Sequence, residues 1–236
     1  MNEYNDSRAV IFDVDGTLSE TEETHRKAFN RAFEHAGLLW HWDQDLYREL
    51  LGVTGGKERI RHFIENYGAE GASKDNLDEF IRSLHVEKTK AYTQMVTSGE
   101  VVLRPGIRKL IADAKELGNR LAIATTTTPA NIDALLAATF GSEGHDLFEV
   151  ICAGDSVPNK KPAPDIYLLA LEKLGVPAKR CLAIEDSRNG LLSSHAAGIA
   201  TIVTPGIYTG DQDFSEAVLV VDNLESFDLA TFHLPH

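Results

Sequence analysis

The chain has 236 residues, of which 43% are hydrophobic and 25% charged; 23 Lys+Arg against 36 Asp+Glu give a formal net charge of −13. This balance is globular, the length corresponds to between one and two domains of ~150 residues, and collagen-like, coiled-coil and disordered classes are excluded. An acidic surface repels phosphodiester backbones and anionic headgroups, so no nucleic-acid and no membrane partner is expected. A small anionic substrate then requires cations gathered at one site.

The two cysteines, Cys152 and Cys181, lie in the apolar runs Val150–Ala153 and Cys181–Ile184 and read as reduced core thiols, which points to a reducing compartment. No apolar stretch approaches the ~18 residues of a membrane helix. The segment Met1–Arg8 is polar and acidic, unlike a signal or transit sequence. A cytoplasmic monomer is expected, or a stromal one if an organelle-targeting peptide has been removed.

Ala9–Phe12 is the first short buried strand, and it ends in Asp13-Val14-Asp15-Gly16-Thr17. Two carboxylates at the mouth of a buried strand are costly unless a cation or a proton separates them. An EF-hand loop is ruled out because Gly16 falls at the fourth position rather than the sixth; a plain acidic turn is the alternative. From about Glu20 to Gly99 no strand is legible. Ala28, Phe29, Ala32, Phe33 and Ala36 follow helical spacing, as do Ile60, Phe63, Ile64 and Tyr67. Phe80, Ile81 and Leu84 open a third helix running to Met95, and Gly68–Asp75 is a turn-rich connector. Trp40, His41 and Trp42 read as an aromatic packing cluster. Arg104-Pro105-Gly106 opens the return to the α/β pattern, with Pro105 at a first helical turn.

Strands then recur at Leu121–Ala124, Val150–Ala153, Cys181–Ile184, Thr201–Val203 and Val218–Val221, separated by helix-length segments. Doubly buried strands alternating with helices predict an α/β fold with a parallel sheet. The predicted division is an α/β part of residues 1–19 and 100–236 with an all-helical segment, residues 20–99, inserted after the first strand. In such a sheet ligands gather at the carboxyl ends of the strands. There the chain supplies Asp13 and Asp15, then Thr125-Thr126-Thr127-Thr128 before Pro129, then Lys160-Lys161-Pro162, then Glu185-Asp186. Each has a structural reading as a helix cap or a solvated charge. Together, acid pair, hydroxyls, cation and acid pair fit phosphoryl transfer. Asp13 can attack phosphorus, and Mg²⁺ on hard carboxylate oxygens can neutralise the phosphoryl group. Thr125 and Lys161 can bind its oxygens, with Thr126 and Thr127 alongside. Asp15 can protonate the leaving oxygen and later deprotonate water.

These motifs resemble those of the haloacid dehalogenase-like phosphatases over essentially the whole length. Asp13-Val14-Asp15-Gly16-Thr17 is similar to their first motif, Thr125 to the second, Lys161 to the third and Glu185-Asp186 to the fourth. The resemblance implies a Rossmann-like catalytic core, residues 1–19 and 100–236, with residues 20–99 as an inserted all-helical cap domain. It also implies that Asp13, the backbone carbonyl of Asp15 and Asp186 ligate Mg²⁺, with Glu185 behind them or an alternate ligand. The stretches Glu20–His25, Tyr47–Leu51 and Thr54–Ile60 resemble the CbbY-like subfamily, which implies a sugar bisphosphate, xylulose 1,5-bisphosphate, as substrate. Related β-phosphoglucomutases share the core, and His25 and Lys88 match their hinge and cap-lysine positions. Those mutases carry an arginine where this chain has Gly55-Gly56-Lys57.

The cap stretch also reads as a second anion site. Gly55 and Gly56 allow close backbone approach at a helix start, Lys57 and Arg59 add charge, and Tyr47 and Arg48 stand upstream. Glu22 and His25 sit near the first cap helix, placed to meet a sugar hydroxyl or Asp15. The expected function is a Mg²⁺-dependent phosphatase of a small phosphorylated sugar. A phosphosugar mutase is the alternative, and a non-catalytic module of the same fold a more remote one.

Overall fold

The protein is described by a computed structural model covering residues 8–73 and 75–234; the segment before Arg8 and the terminal His236 lie outside it. Runs of four or five residues without a polar interruption form strands covered on both faces. β1 (Ala9–Phe12) is buried throughout and pairs in parallel with β2 (Arg120–Ala124) on one side and β4 (Cys181–Glu185) on the other. β3 (Val150–Cys152) flanks β2; β5 (Ala200–Val203) and β6 (Leu219–Val220) continue beyond β4. The order β3-β2-β1-β4-β5-β6 winds outward from β1 in both directions. The crevice where winding reverses therefore opens at the carboxyl ends of β1, β2 and β4. Successive side chains of β1 serve opposite faces. Val10 and Phe12 pack with α5 (Ile107–Glu116) and α6 (Pro129–Phe140), while Ala9 and Ile11 pack with α7 (Asp165–Leu174). Cys152 and Cys181 are buried free thiols of that second cluster.

Between β1 and α5 the described residues form α1 (Glu22–His35), α2 (Gln44–Leu50), α3 (Gly56–Asn66) and α4 (Leu77–Thr97). They enclose their own aromatic cluster, in which Phe29, Phe33, Trp40, Trp42, Tyr47 and Phe63 meet. Trp42 sits at 4.6 Å from Phe29 and 4.9 Å from Phe33, centroid to centroid. Complete burial of Phe29 and Phe33 contributes ~1.5–3 kcal/mol each. His41, between the tryptophans, points to solvent.

Three local expectations change. α2 was not legible; its seven residues offer too few apolar repeats, and Asp43 starts it by accepting from the Leu46 N–H at 2.9 Å. α4 begins three residues before Phe80 and ends two after Met95. Pro105 precedes α5 rather than opening it, because Gly106 adopts a left-handed φ of 87° immediately before Ile107. A Cβ there would strike the Leu224–Glu225 backbone.

Candidate active site

The four strand ends converge. Asp13 continues β1, its N–H bonded to the Ile184 carbonyl at 3.0 Å, and its carboxylate meets Lys161 Nζ at 2.6 Å. Lys161 also donates to Glu185 Oε1 at 2.6 Å, and the Tyr167 hydroxyl donates to the same oxygen at 2.5 Å. The cluster is almost wholly buried: Lys161 is 5%, Asp13 7%, Asp186 5% and Glu185 0% exposed. Burial pushes the Asp13 carboxyl up to about 7 against the pull of Lys161. It pushes Asp186 well above the carboxylate range, reinforced by Asp13 and Glu185. Burial would lower the Lys161 ammonium, but Asp13 and Glu185 outweigh it and hold the lysine charged.

Carboxylate oxygens of Asp13, Glu185 and Asp186 lie within 4.8 Å of one another. One lysine does not balance three acids, and buried Glu185 Oε2 has no hydrogen-bond partner among the described residues. A hard divalent cation fits this donor set. Asp13 and Asp186 line the cavity and Glu185 does not, which separates the two facing acids from the one behind. Gly16, at φ 80°, is required here because any Cβ would overlap the Asp186 carboxylate. Arg104 locks the surrounding loops, donating to the carbonyls of Gly16, Thr204 (2.6 Å) and Pro205 (2.9 Å).

Asp15 has a different environment. Thr21 Oγ1 donates to its Oδ1 at 2.6 Å, and His25 Nε2 lies 2.8 Å from the same oxygen. Burial raises this carboxyl, but the two partners pull it well below the ordinary carboxylate range. Lys88 Nζ stands 2.6 Å from His25 Nδ1, extending the chain to α4. Burial, with Arg59 nearby, lowers Lys88 to about 8 against the pull of Asp15 and Glu22.

A cavity of about 430 Å³ runs from Asp13, Asp15, Thr125 and Lys161 on the strand ends to Gly55, Gly56, Arg59 and Lys88 on the helical insert. Thr126, Thr127, Glu22 and His25 also line it. Gly55 (φ 100°) and Gly56 start α3 with N–H groups facing outward, the geometry that binds anions. The cations expected to converge do so only in part. Lys57 is turned away to an exposed ion pair with Asp155. Arg48 leaves for the Tyr208 carbonyl at 3.3 Å and for Asp211. Tyr47 is fully buried behind the wall, its hydroxyl donating to Glu22 Oε2 at 2.8 Å and accepting from Arg59 Nη1 at 3.1 Å. None of these three lines the cavity; Arg59, Lys88, Lys161 and Arg188 supply its positive charge.

His85 and Arg188 were missed by sequence reading. His85 on α4 backs Gly56; burial first, then Lys88, Lys57 and Lys160, lower it to about 3, so its ring is neutral. It lies three residues before Lys88 on one helix face, a spacing that could have flagged it.

The family model of the haloacid dehalogenase-like hydrolases matches residues 7–198. A CbbY protein of Rhodobacter capsulatus is 56% identical over 210 residues, covering 89% of this chain and 90% of that one. The crystal structure of CbbY from Rhodobacter sphaeroides in complex with phosphate superposes with a TM-score of 0.90 at 48% identity, covering 95% of this chain and 98% of that one. A substituted form of it in complex with xylulose 1,5-bisphosphate gives 0.90 at 47% with the same coverage. The chain belongs to the haloacid dehalogenase-like hydrolases, as a phosphatase of their CbbY-like branch.

Proposed function

We propose that the chain is a Mg²⁺-dependent phosphatase that removes one phosphate from a sugar bisphosphate, xylulose 1,5-bisphosphate, through an aspartyl-phosphate on Asp13. The observation that carries this reading is a single cavity lined by Asp13, Lys161 and Thr125 at the strand ends and by the Gly55–Gly56 helix start with Arg59 opposite, donor groups that suit one phosphate at each end. The ligand held by the Rhodobacter sphaeroides relative has the matching two-phosphate form.

Asp13, Asp186 and the backbone of Asp15 would hold the ion, with Glu185 behind. When bound, Mg²⁺ supplies the positive charge that keeps the buried Asp13 ionised and offsets the phosphoryl oxygens. Asp13 attacks phosphorus as the bond to the sugar oxygen breaks, and Lys161 and Thr125 hold the transferred oxygens. Approach of the dianionic phosphate raises the proton affinity of Asp15, which takes a proton from solvent and passes it to the departing sugar oxygen. Asp15 then takes a proton from the water that cleaves the aspartyl-phosphate, and His25 and Thr21 hold it ionised for that step. Residues 20–99 act as the cap, and closing it excludes water from the first step.

A panel of sugar mono- and bisphosphates assayed for phosphate release, with and without chelator, tests the reading. Xylulose 1,5-bisphosphate should be preferred and chelator should stop turnover. Equal rates on mono- and bisphosphates would remove the bisphosphate claim, and isomerisation without net phosphate release would make the chain a mutase.

A further inference from the structure

One side chain from the strand-and-helix layer is buried in the aromatic cluster of the helical insert. Tyr208, in the loop after β5, is 3% exposed and belongs to the cluster of Phe29, Trp42 and Tyr47 rather than to either sheet cluster. Its ring meets Tyr47 edge-on at 5.5 Å, and the Arg48 guanidinium lies 5.5 Å above it. Its hydroxyl donates to Glu23 Oε2 on α1 at 2.6 Å. The neighbouring Thr209 faces the opposite way. Its hydroxyl donates to the Asp186 carbonyl at 2.7 Å and accepts from the Gly206 N–H at 2.8 Å. Three residues on, Gln212 Oε1 accepts from the Arg188 N–H at 2.6 Å. The loop is thus bonded to the cap at Tyr208 and to the Asp186 turn at Thr209.

Other links cross the cleft. Lys57 pairs with Asp155, Lys160 with Glu58 at 3.2 Å, and Asn189 Nδ2 donates to Thr54 at 3.0 Å. Lys57, Asp155 and Glu58 are solvent-facing to a third or more, where ion pairs contribute little and are screened by salt. The Tyr208 hydroxyl bond to the Glu23 carboxylate differs: it is partly buried, and the tyrosine ring is packed on aromatic side chains. Bonds to charged groups are the stronger class.

We propose that Tyr208 is a positioning residue that seats the cap in its closed state and, through Thr209, ties that seating to the Asp186 turn. The inference rests on residues 20–99 acting as a cap over the site. A bisphosphate that needs both ends of the cavity requires the seated cap; a small aryl phosphate, needing only the strand ends, does not.

The test uses the full-length protein with three variants, two substrates and solution scattering. Tyr208→Phe keeps the ring and loses the hydroxyl. It should raise KM for xylulose 1,5-bisphosphate about tenfold, the effect of one such bond, with kcat/KM on p-nitrophenyl phosphate changed less than about twofold. Tyr208→Ala should add a larger radius of gyration, as the cap opens. Thr209→Val, cutting the other end of the loop, should lower activity on both substrates. Equal losses on the two substrates in Tyr208→Phe, or no loss on either, would overturn the assignment. So would an unchanged radius of gyration in folded Tyr208→Ala. If wild-type protein does not hydrolyse the bisphosphate, the substrate reading fails, and the scattering of Tyr208→Ala still decides whether Tyr208 seats the cap.

Discussion

Gly56→Ala probes how closely the α3 end of the cavity is built. A Cβ on Gly56 would lie 2.5 Å from His85 Nε2 and 2.7 Å from its Cδ2, with Phe29 Cζ behind at 3.6 Å. Two effects oppose each other. Alanine at the first turn of α3 gains up to ~1 kcal/mol of helix propensity over glycine, while overpacking costs ~1–3 kcal/mol. The clash wins, because Phe29 is fully buried and blocks one direction of relief. Relief is then either His85 swinging into the cavity or the first turn of α3 lifting. Both displace the N–H groups proposed to hold the distal phosphate, so the cost falls on binding more than on folding. We expect KM for the bisphosphate to rise about tenfold, ~1.4 kcal/mol, with kcat within about twofold and the melting temperature within a few degrees. Removing the obstacle separates this account from a generic defect. In a double-mutant cycle Gly56→Ala on a His85→Ala background should cost far less than on the wild-type background, a coupling of at least ~0.5 kcal/mol. Additive effects, or an unaltered KM in Gly56→Ala, would show that the glycine is not there to clear His85.

Asp13→Asn should abolish phosphate release while circular dichroism and melting stay near wild type, since the amide keeps the shape of the nucleophile but cannot attack; residual turnover would move the nucleophile elsewhere. Lys161→Met leaves Asp13 and Glu185 buried together without their cation, and loss of one partner of such a cluster costs ~3–5 kcal/mol; chemical denaturation should register it, and excess Mg²⁺ should restore part of it. His85 is about 3 in the folded state against an ordinary 6.5, so the unfolded chain binds more protons between those values. Stability therefore falls as pH drops from 6.5 toward 3, and His85→Gln should flatten that segment of a urea-midpoint profile; an unchanged profile would mean the ring is not buried neutral. Arg104→Lys should not rescue Arg104→Ala in melting or turnover, because one ammonium cannot span the carbonyls of Gly16, Thr204 and Pro205 that the guanidinium fork reaches.

The strand ends were readable because their chemistry is local in sequence. Asp13, Asp15, Thr125 and Asp186 each stand at or just past the end of a hydrophobic run, with Lys161 in the loop after the third, and a parallel sheet brings such positions to one edge whatever surrounds them. The helical insert was readable as helices because Phe29, Phe33, Ile60 and Phe63 keep helical spacing. The destinations of long polar side chains there were not. Lys57 stands one residue from Gly56, yet it reaches Asp155, 98 positions away, because on a helix adjacent residues point about 100° apart. Tyr47 is drawn inward by Glu22 and Arg59, and Arg48 outward by the Tyr208 carbonyl; both partners are set by tertiary packing. Arg104 carried no motif, and its role exists only once the turns at Gly16 and Thr204 are side by side.

The formal charge of −13 first argued for a chain that repels anions. The structure distributes that charge unevenly. Arg61, Arg82, Lys90, Lys109 and Arg120 are occupied by exposed or half-exposed acids on the outside, where their fields are screened within ~10 Å. Lys161, Arg59 and Lys88 are almost wholly buried, at 5%, 9% and 4% exposure, so their charge acts through a medium that screens it less. Lys161 answers the acids of the strand ends, while Arg59 and Lys88 sit at the opposite wall beside neutral His85. Under the proposed function a ligand with a phosphate at each end meets both groups, joining the Asp15 and Glu22 carboxylates that already pull on Lys88. The same asymmetry predicts the salt response: raising ionic strength should disturb the exposed cleft pair of Lys57 and Asp155 well before it weakens binding at the buried cations. A steep loss of bisphosphate affinity in parallel with loss of that surface pair would instead place the second phosphate at the exposed Lys57.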